Sequence, residues 1–78
     1  MTASSVPKVE IYTKWGCPYC VAAKSLLDGK GVSYTEYDIT MGGPKRDEMR
    51  ARVPGAMTVP QVLVNGRDEE ALSRGIYD

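Results

Sequence analysis

Two cysteines, Cys17 and Cys20, are the only thiols of this chain, and Pro18 and Tyr19 stand between them. Thiols at this spacing can close a small disulfide ring and reopen it by thiol–disulfide exchange, in which a thiolate attacks a disulfide sulfur. The sequence contains no histidine, which excludes Cys–His nucleophile pairs and histidine metal ligands within it. The cysteine pair therefore predicts redox chemistry in which the thiol is activated by other means.

The elements around the pair suggest that activation. A strand-like run, Val9–Thr13, precedes the cysteines and a helical pattern follows them. Pro18 suits the first helical position, which puts Cys17 at the N-cap and Cys20 at the third position of the helix. Free amides and the positive end of the helix dipole would then stabilise a Cys17 thiolate, and Lys14 adds positive charge nearby. We predict that Cys17 attacks a disulfide and that Cys20, covered by the helix, resolves the resulting mixed disulfide.

The remaining pattern predicts an α/β domain. Strands are expected at Val32–Ile39 and Gln61–Val64, helices at Lys45–Arg52 and Arg67–Ser73, and a hairpin turn at Asn65-Gly66. A strand, a helix and a strand in succession predict a right-handed crossover with the first two strands parallel. The core is expected to include Val21, Ala22, Ala23, Leu26, Leu27, Met49, Val53, Ala71 and Leu72, and Gly75 is expected to end the last helix.

Size and charge limit the organisation and the partners. A chain of 78 residues allows one domain, residues 1–78, in which residues 1–7 are expected to be a flexible N-terminus. Ten basic residues balance ten acidic ones, so no net field favours nucleic acid or a membrane surface as a partner. No apolar run approaches the roughly 18 residues of a membrane span, and the start does not resemble a secretory signal. These observations predict a cytoplasmic protein, in which a CxxC pair is typically redox-active or metal-binding.

Other interpretations of the cysteine pair involve a metal or a structural role. Zinc prefers four ligands, but this sequence contains only two cysteines and no histidine. Carboxylates would therefore have to supply the remaining ligands. Two copies of the chain could instead share a metal or an iron–sulfur cluster through Cys17. Two unreactive core cysteines are a poor fit directly after the Lys14-Trp15-Gly16 loop.

The same residues carry a resemblance to a known family. Cys17-Pro18-Tyr19-Cys20, the run Ala23–Leu27, and Thr58-Val59-Pro60-Gln61 followed by Asn65-Gly66 resemble, in this order and spacing, the small bacterial dithiol glutaredoxins. The resemblance implies a thioredoxin-like fold, with a central mixed sheet flanked by helices. It also implies glutathione as co-substrate with no tightly bound cofactor or metal. The implied substrates are protein disulfides and protein–glutathione mixed disulfides.

The resemblance also implies roles for particular residues. Cys17 would form the mixed disulfide with glutathione, and Cys20 would complete the catalytic pair. Pro60 would follow a cis peptide bond beside the cysteines, leaving the Val59 backbone unpaired to bind extended glutathione. The glutathione-binding residues so implied are Lys14, Tyr19, Thr58, Val59, Pro60 and Asp68.

Two neighbouring side chains carry weaker interpretations. Arg46 could reach a glutathione carboxylate, although the basic residues around it are more typical of a solvated helix face. Trp15 is interpreted as a packing residue or as the rim of the site.

The sequence departs from the family after Gly66. Glutaredoxins usually continue into a fourth, edge strand and then a Gly-Gly turn, whereas here Arg67–Leu72 follows at once. The fourth strand is therefore expected to be lacking or truncated, with Asp68 and Glu69 standing for the acidic residues after the turn. Without that strand, the third strand would expose an apolar edge, and the expected monomer could become a dimer.

Two alternative functions remain open from the sequence. An iron–sulfur carrier is one, although cluster-binding glutaredoxins more often have a small residue where Pro18 stands. A thioredoxin-type reductant supplied by a flavoenzyme is the other, although Lys14 and Tyr19 favour glutathione.

Overall fold

A computed structural model describes residues 7–73 of the chain. The predicted flexible N-terminus lies, apart from Pro7, outside the described residues, as does Gly75. The elements in chain order are β1 (Val9–Thr13), α1 (Pro18–Gly29), β2 (Tyr34–Asp38), α2 (Pro44–Arg52), β3 (Gln61–Val64), β4 (Arg67–Asp68) and α3 (Glu70–Ser73). None of the helices within residues 7–73 has the length and apolar character needed to cross a membrane.

The four strands form one mixed sheet in the order β2-β1-β3-β4. β1 pairs in parallel with β2, as the predicted crossover requires, and antiparallel with β3. β1 is thus a central strand, and all five of its residues are buried. The predicted α/β class with a central mixed sheet is confirmed.

Two apolar clusters lie on opposite faces of the sheet, because successive strand residues point to opposite sides. The first cluster joins β1 and β3 to α1 and α3, and consists of Val9, Ile11, Ala23, Leu27, Val62 and Leu72. The second joins β1 and β3 to α2 and the segment after it, and consists of Tyr12, Ile39, Met49, Ala56 and Leu63. The predicted burial of Met49 and Leu72 is confirmed, and Val53 packs against the second cluster.

The predicted apolar face of α1 was too wide. Ala23 and Leu27 are buried and Leu26 packs against them, but Val21 is 61% exposed and Ala22 is also exposed. At 3.6 residues per turn, the helix directs Val21 and Ala22 away from the sheet when Ala23 and Leu27 face it.

The segment after Gly66 differs from its predicted helix. Arg67 and Asp68 pair antiparallel with Val64 and Leu63 as a two-residue strand, and α3 begins only at Glu70. Asn65 and Gly66, with φ of 53° and 81°, adopt the left-handed conformation that a tight hairpin turn of this kind requires. The fourth strand is therefore present but truncated, and the prediction of a helix from Arg67 was wrong at its start.

The outer edge of β3 also forms hydrogen bonds with the residues that follow this short strand. The Val62 carbonyl accepts a hydrogen bond from the Glu69 amide at 2.7 Å, and the Val62 amide donates one to the buried Ser73 Oγ at 2.7 Å. Backbone and side-chain groups of the following segment thus replace the missing length of β4. The open edge on which the predicted dimer depended is covered at Val62.

A charged cluster joins β1 to α2 beneath the second apolar cluster. The Arg52 guanidinium donates to both Glu10 carboxylate oxygens, at 2.7 and 3.1 Å, and the Tyr37 hydroxyl donates to the same carboxylate at 2.8 Å. The Glu10 side chain is only 5% exposed. Hydrogen bonds from Arg52, opposed by burial and assisted by Tyr37, lower the pKa of Glu10 to about 2.

Replacing Arg52 with methionine should lower the free energy of unfolding by about 3 kcal/mol at neutral pH, because Glu10 would remain buried without its cation. The low Glu10 pKa gives a stabilisation that is complete above about pH 4.5 and is lost as the pH falls toward 2. Urea denaturation at a series of pH values should therefore show a shallower loss of stability on acidification in Arg52→Met than in wild type.

Lys45→Met is the matched control. It removes a cation that pairs with Glu48 on the exposed side of α2, at 3.2 Å, and should cost less than about 1 kcal/mol. Equal acid sensitivity in wild type and Arg52→Met would contradict the assignment of this stabilisation to the buried pair.

Candidate active site

Cys17 lies at the junction of a buried strand and a helix. A three-residue loop leads from β1 to Cys17, which has an extended conformation (φ −96°, ψ 111°) and serves as N-cap of α1. The Cys20 amide donates a hydrogen bond to Cys17 Sγ at 3.2 Å, and Pro18 occupies the first helical position. The predicted N-cap geometry is confirmed. The Cys17 sulfur thus lies on a helix amide, at the positive end of the helix dipole.

The two thiols differ in exposure. Cys17 is half-buried, whereas Cys20 is only 2% exposed. Burial, together with a hydrogen bond to Cys17, raises the pKa of Cys20 to about 12. Cys20 is therefore a neutral thiol at neutral pH, and Cys17 is the sulfur that an outside molecule can reach.

The Thr58–Pro60 segment passes beside Cys17. The Val59–Pro60 peptide bond is cis, as predicted. The Cys17 thiol lies 3.6 Å from the Val59 carbonyl, to which it can donate. The prediction of an unpaired Val59 carbonyl was therefore wrong for the reduced protein, because this oxygen faces the cysteine itself.

A cavity of about 660 Å³ opens next to this segment. Five of the six predicted glutathione-binding residues line it: Tyr19, Thr58, Val59, Pro60 and Asp68. Tyr19 is 62% exposed, which excludes a purely structural packing role for its ring. The volume is within the range of about 300–1,000 Å³ typical of small-molecule sites.

Several other residues that line this cavity were not predicted from the sequence. They are Val53, Pro54, Gly55, Ala56, Gln61 and Ser73. The Gln61 side-chain amide donates to the Thr58 carbonyl at 2.9 Å and so bridges the segment that carries Pro60. The Pro54-Gly55 turn signal could have indicated a loop near the site, but no local pattern indicated which side of the sheet it would reach.

Lys14 lies on the other side of Thr58 and Val59. It lines a small cavity of about 60 Å³ together with Arg46 and Arg50 of α2. The two cavities share Ala56, Thr58 and Val59. The three basic side chains therefore lie on one side of the Thr58–Val59 segment, and the larger cavity lies on the other. Arg50 was missed, although its spacing of four residues from Arg46 on a helix indicates a shared face.

Exposed apolar side chains surround the cysteine. Trp15 is 87% exposed, and Met57, which borders the cationic cavity, is 81% exposed. The Trp15 amide donates to Thr40 Oγ1 at 2.8 Å, which ties the loop before Cys17 to the loop after β2. Of the two interpretations of Trp15, the structure supports the rim of the site and not the core.

Residues 7–73 contain no group of three or more His, Cys, Asp or Glu side chains placed to hold a metal ion.

Comparison with known proteins agrees with this geometry. The sequence model of the glutaredoxin family matches residues 9–68. A probable glutaredoxin of Synechocystis is 52% identical over 58 residues, which cover 74% of this chain and 53% of that protein. Glutaredoxin 3 of Escherichia coli K12 is 51% identical over 59 residues, which cover 76% of this chain and 70% of that protein.

Solved structures agree as well. The solution structure of glutaredoxin from Brucella melitensis has a TM-score of 0.66 and 41% sequence identity, covering 82% of this chain and 68% of that one. The predicted thioredoxin-like fold is thereby confirmed. This chain spans about half of the length of the Synechocystis protein. The family match, the identity to these relatives and the shared fold show that the chain belongs to the glutaredoxin family.

Proposed function

We propose that this protein is a glutathione-dependent thiol–disulfide oxidoreductase that reduces protein disulfides and protein–glutathione mixed disulfides. The observation that carries the proposal is the position of Cys17. Its sulfur accepts a hydrogen bond from the Cys20 amide at 3.2 Å and borders the Thr58–Pro60 segment. That segment lines a cavity large enough for a small peptide.

The exposure difference between the thiols supports the following order of steps. The Cys17 thiolate attacks a substrate disulfide, forms a new S–S bond and releases the other substrate sulfur as a thiolate that takes up a proton. Buried Cys20 then loses its proton and attacks Cys17 Sγ, which releases the second substrate sulfur and leaves a Cys17–Cys20 disulfide. Two glutathione molecules restore the dithiol and leave as oxidised glutathione.

The surroundings of the cavity suit glutathione, which carries two carboxylates and one ammonium group. Lys14, Arg46 and Arg50 form a cationic flank that can attract a carboxylate, and Asp68 on the opposite wall can attract the ammonium group. Tyr19 can cover the tripeptide from the helix side. The Val59 backbone can pair with the extended tripeptide once Cys17 is engaged in a disulfide and no longer donates.

We further propose that the protein works as a monomer in the cytoplasm, on disulfide-containing or glutathionylated proteins. The bonding of β3 to Glu69 and Ser73 supports a monomer, because it occupies the edge at Val62 through which a second chain would pair. The cytoplasm supplies the reduced glutathione that the cycle consumes.

Cysteine substitution separates the two thiols. Cys17→Ser should abolish turnover of a glutathione mixed disulfide, because the reachable nucleophile is lost. Cys20→Ser should keep partial activity, since glutathione itself can attack the Cys17–glutathione bond. The measurement is a coupled assay with glutathione, glutathione reductase, NADPH and hydroxyethyl disulfide. Equal activity in both variants and wild type would refute the proposal, and activity supported only by thioredoxin reductase would favour a thioredoxin-type reductant.

Removing the anionic wall should weaken glutathione selectively. Asp68→Asn is expected to raise the KM for glutathione about two- to fivefold with little change in kcat, because an exposed ionic contact is lost equally from substrate and transition state. Asp47→Asn removes the same charge from the exposed surface of α2 and is the control. An unchanged KM for glutathione in Asp68→Asn would contradict the assignment of Asp68 to the binding site.

A further inference from the structure

Three elements bring together polar side chains that do not line the cavity described above. Lys24 of α1 donates to Glu36 Oε2 of β2 at 3.1 Å, and the Thr13 hydroxyl at the end of β1 donates to the same oxygen at 2.7 Å. Thr13 is buried, and its hydrogen bond fixes the Glu36 carboxylate that in turn holds the Lys24 ammonium. This arrangement, which we call the Lys24–Glu36–Thr13 cluster, has no part in the mechanism described above.

The cluster places a positive charge close to the buried thiol. Lys24 follows Cys20 by four residues on α1, and side chains at this spacing lie on one face of a helix with their Cβ atoms about 5–6 Å apart. Helical side chains also lean toward the N-terminus, so that Lys24 covers the turn containing Cys20. Its bond to Glu36 keeps the ammonium group on the sheet side of the helix.

The other groups that act on Cys20 come from its own helix start and from the loop before it. Burial and the neighbouring Cys17 oppose ionisation of Cys20 and raise its pKa, whereas a hydrogen bond with the Lys14 backbone and the charge of Lys24 act in the opposite direction. When Cys17 is bonded to a substrate sulfur, it cannot be a thiolate and no longer opposes the ionisation of Cys20. Lys24 and the Lys14 backbone must then offset the effect of burial, which disfavours the Cys20 thiolate.

The charges around the cluster itself are mainly negative. Tyr34 of β2 faces Lys24, with Asp28 of α1 beside it, and Asp38 at the end of β2 faces Glu36. Lys24 is thus a cation held among anions, and its pKa is raised, mainly by the bond to Glu36. It keeps its charge throughout the neutral pH range in which the thiols react.

We propose that Lys24 is a positioning residue for the resolving step, in which its ammonium group, anchored by Glu36, stabilises the Cys20 thiolate that attacks the Cys17 mixed disulfide. The proposal rests on the dithiol mechanism given above and assigns a residue to its second half. In this step Cys20 releases its proton to solvent, forms the bond to Cys17 Sγ and displaces the substrate sulfur, which takes up a proton. No other reactant is required.

Stopped-flow kinetics with dithiodipyridine separates the two steps, because each attack releases one coloured thiopyridone. The first phase is the bimolecular attack of Cys17, and the second is the unimolecular attack of Cys20. Lys24→Gln should slow the second phase roughly three- to tenfold near neutral pH, as expected for loss of one partly screened charge. It should also shift the pH profile of that phase upward by about half a unit to one unit. The first phase should change less than about twofold.

Two further variants distinguish charge from packing. Lys24→Arg retains the cation and should restore the second phase and its pH profile. Lys45→Gln removes an equivalent lysine, also paired with a glutamate, from α2 on the other face of the sheet and should change neither phase. Circular dichroism and urea denaturation of each variant verify that the fold is retained.

The outcomes are separable from those of the proposed function, because this probe contains no glutathione. An unchanged second phase in Lys24→Gln overturns the role of Lys24, and so does an equal slowing in Lys24→Gln and Lys24→Arg. A wild-type protein without a first phase would instead refute the dithiol mechanism itself.

Discussion

One hydrogen bond, from the Cys20 amide to Cys17 Sγ, sets the geometry on which the rest of the site depends. It exists because α1 starts one residue after Cys17, with a proline that needs no amide partner at the first position. The start of α1 is in turn fixed by β1, a fully buried central strand in which a one-residue shift in register would move Glu10 away from Arg52 and onto the face of Ile11. The reactive sulfur is therefore placed by the core of the domain and not by a flexible loop.

The helix on the other face of the sheet, α2, positions two cations of the site, Arg46 and Arg50. Glu10 and Arg52 tie the last turn of α2 to β1, and the same helix carries Arg46 in its first turn and Arg50 in its last turn to the flank of the Thr58–Val59 segment. A buried ion pair contributes little net stability when compared with apolar packing, but breaking it is costly. Its effect here is to fix where α2 lies on the sheet, and through α2 the positive side of the cavity.

The sequence predicted the elements and the local geometry of the cysteines well, because those features depend on neighbouring residues. The N-cap role of Cys17 follows from Pro18 and the helical pattern after it, and the pairing of β1 with β2 follows from the handedness of crossovers. A lacking or truncated β4 was predicted, but its position was not, since Arg67 and Asp68 have no apolar pattern and pair because the Asn65-Gly66 turn folds them back on β3. Ser73 and the Val53–Ala56 segment reach the site through tertiary packing, which no local spacing reports.

The start of α1 has opposite effects on the reactivity of its two thiols. It gives Cys17 an amide donor and access to solvent, and it buries Cys20 so that the Cys20 pKa rises to about 12. The CxxC motif therefore accounts for the first attack but works against the second, which needs a thiolate in a buried place. Only groups outside the motif can offset that burial. Lys24, proposed above for this role, follows Cys20 by four residues on α1 and is bonded to Glu36 of β2. Through that bond the sheet would contribute to both halves of a dithiol cycle.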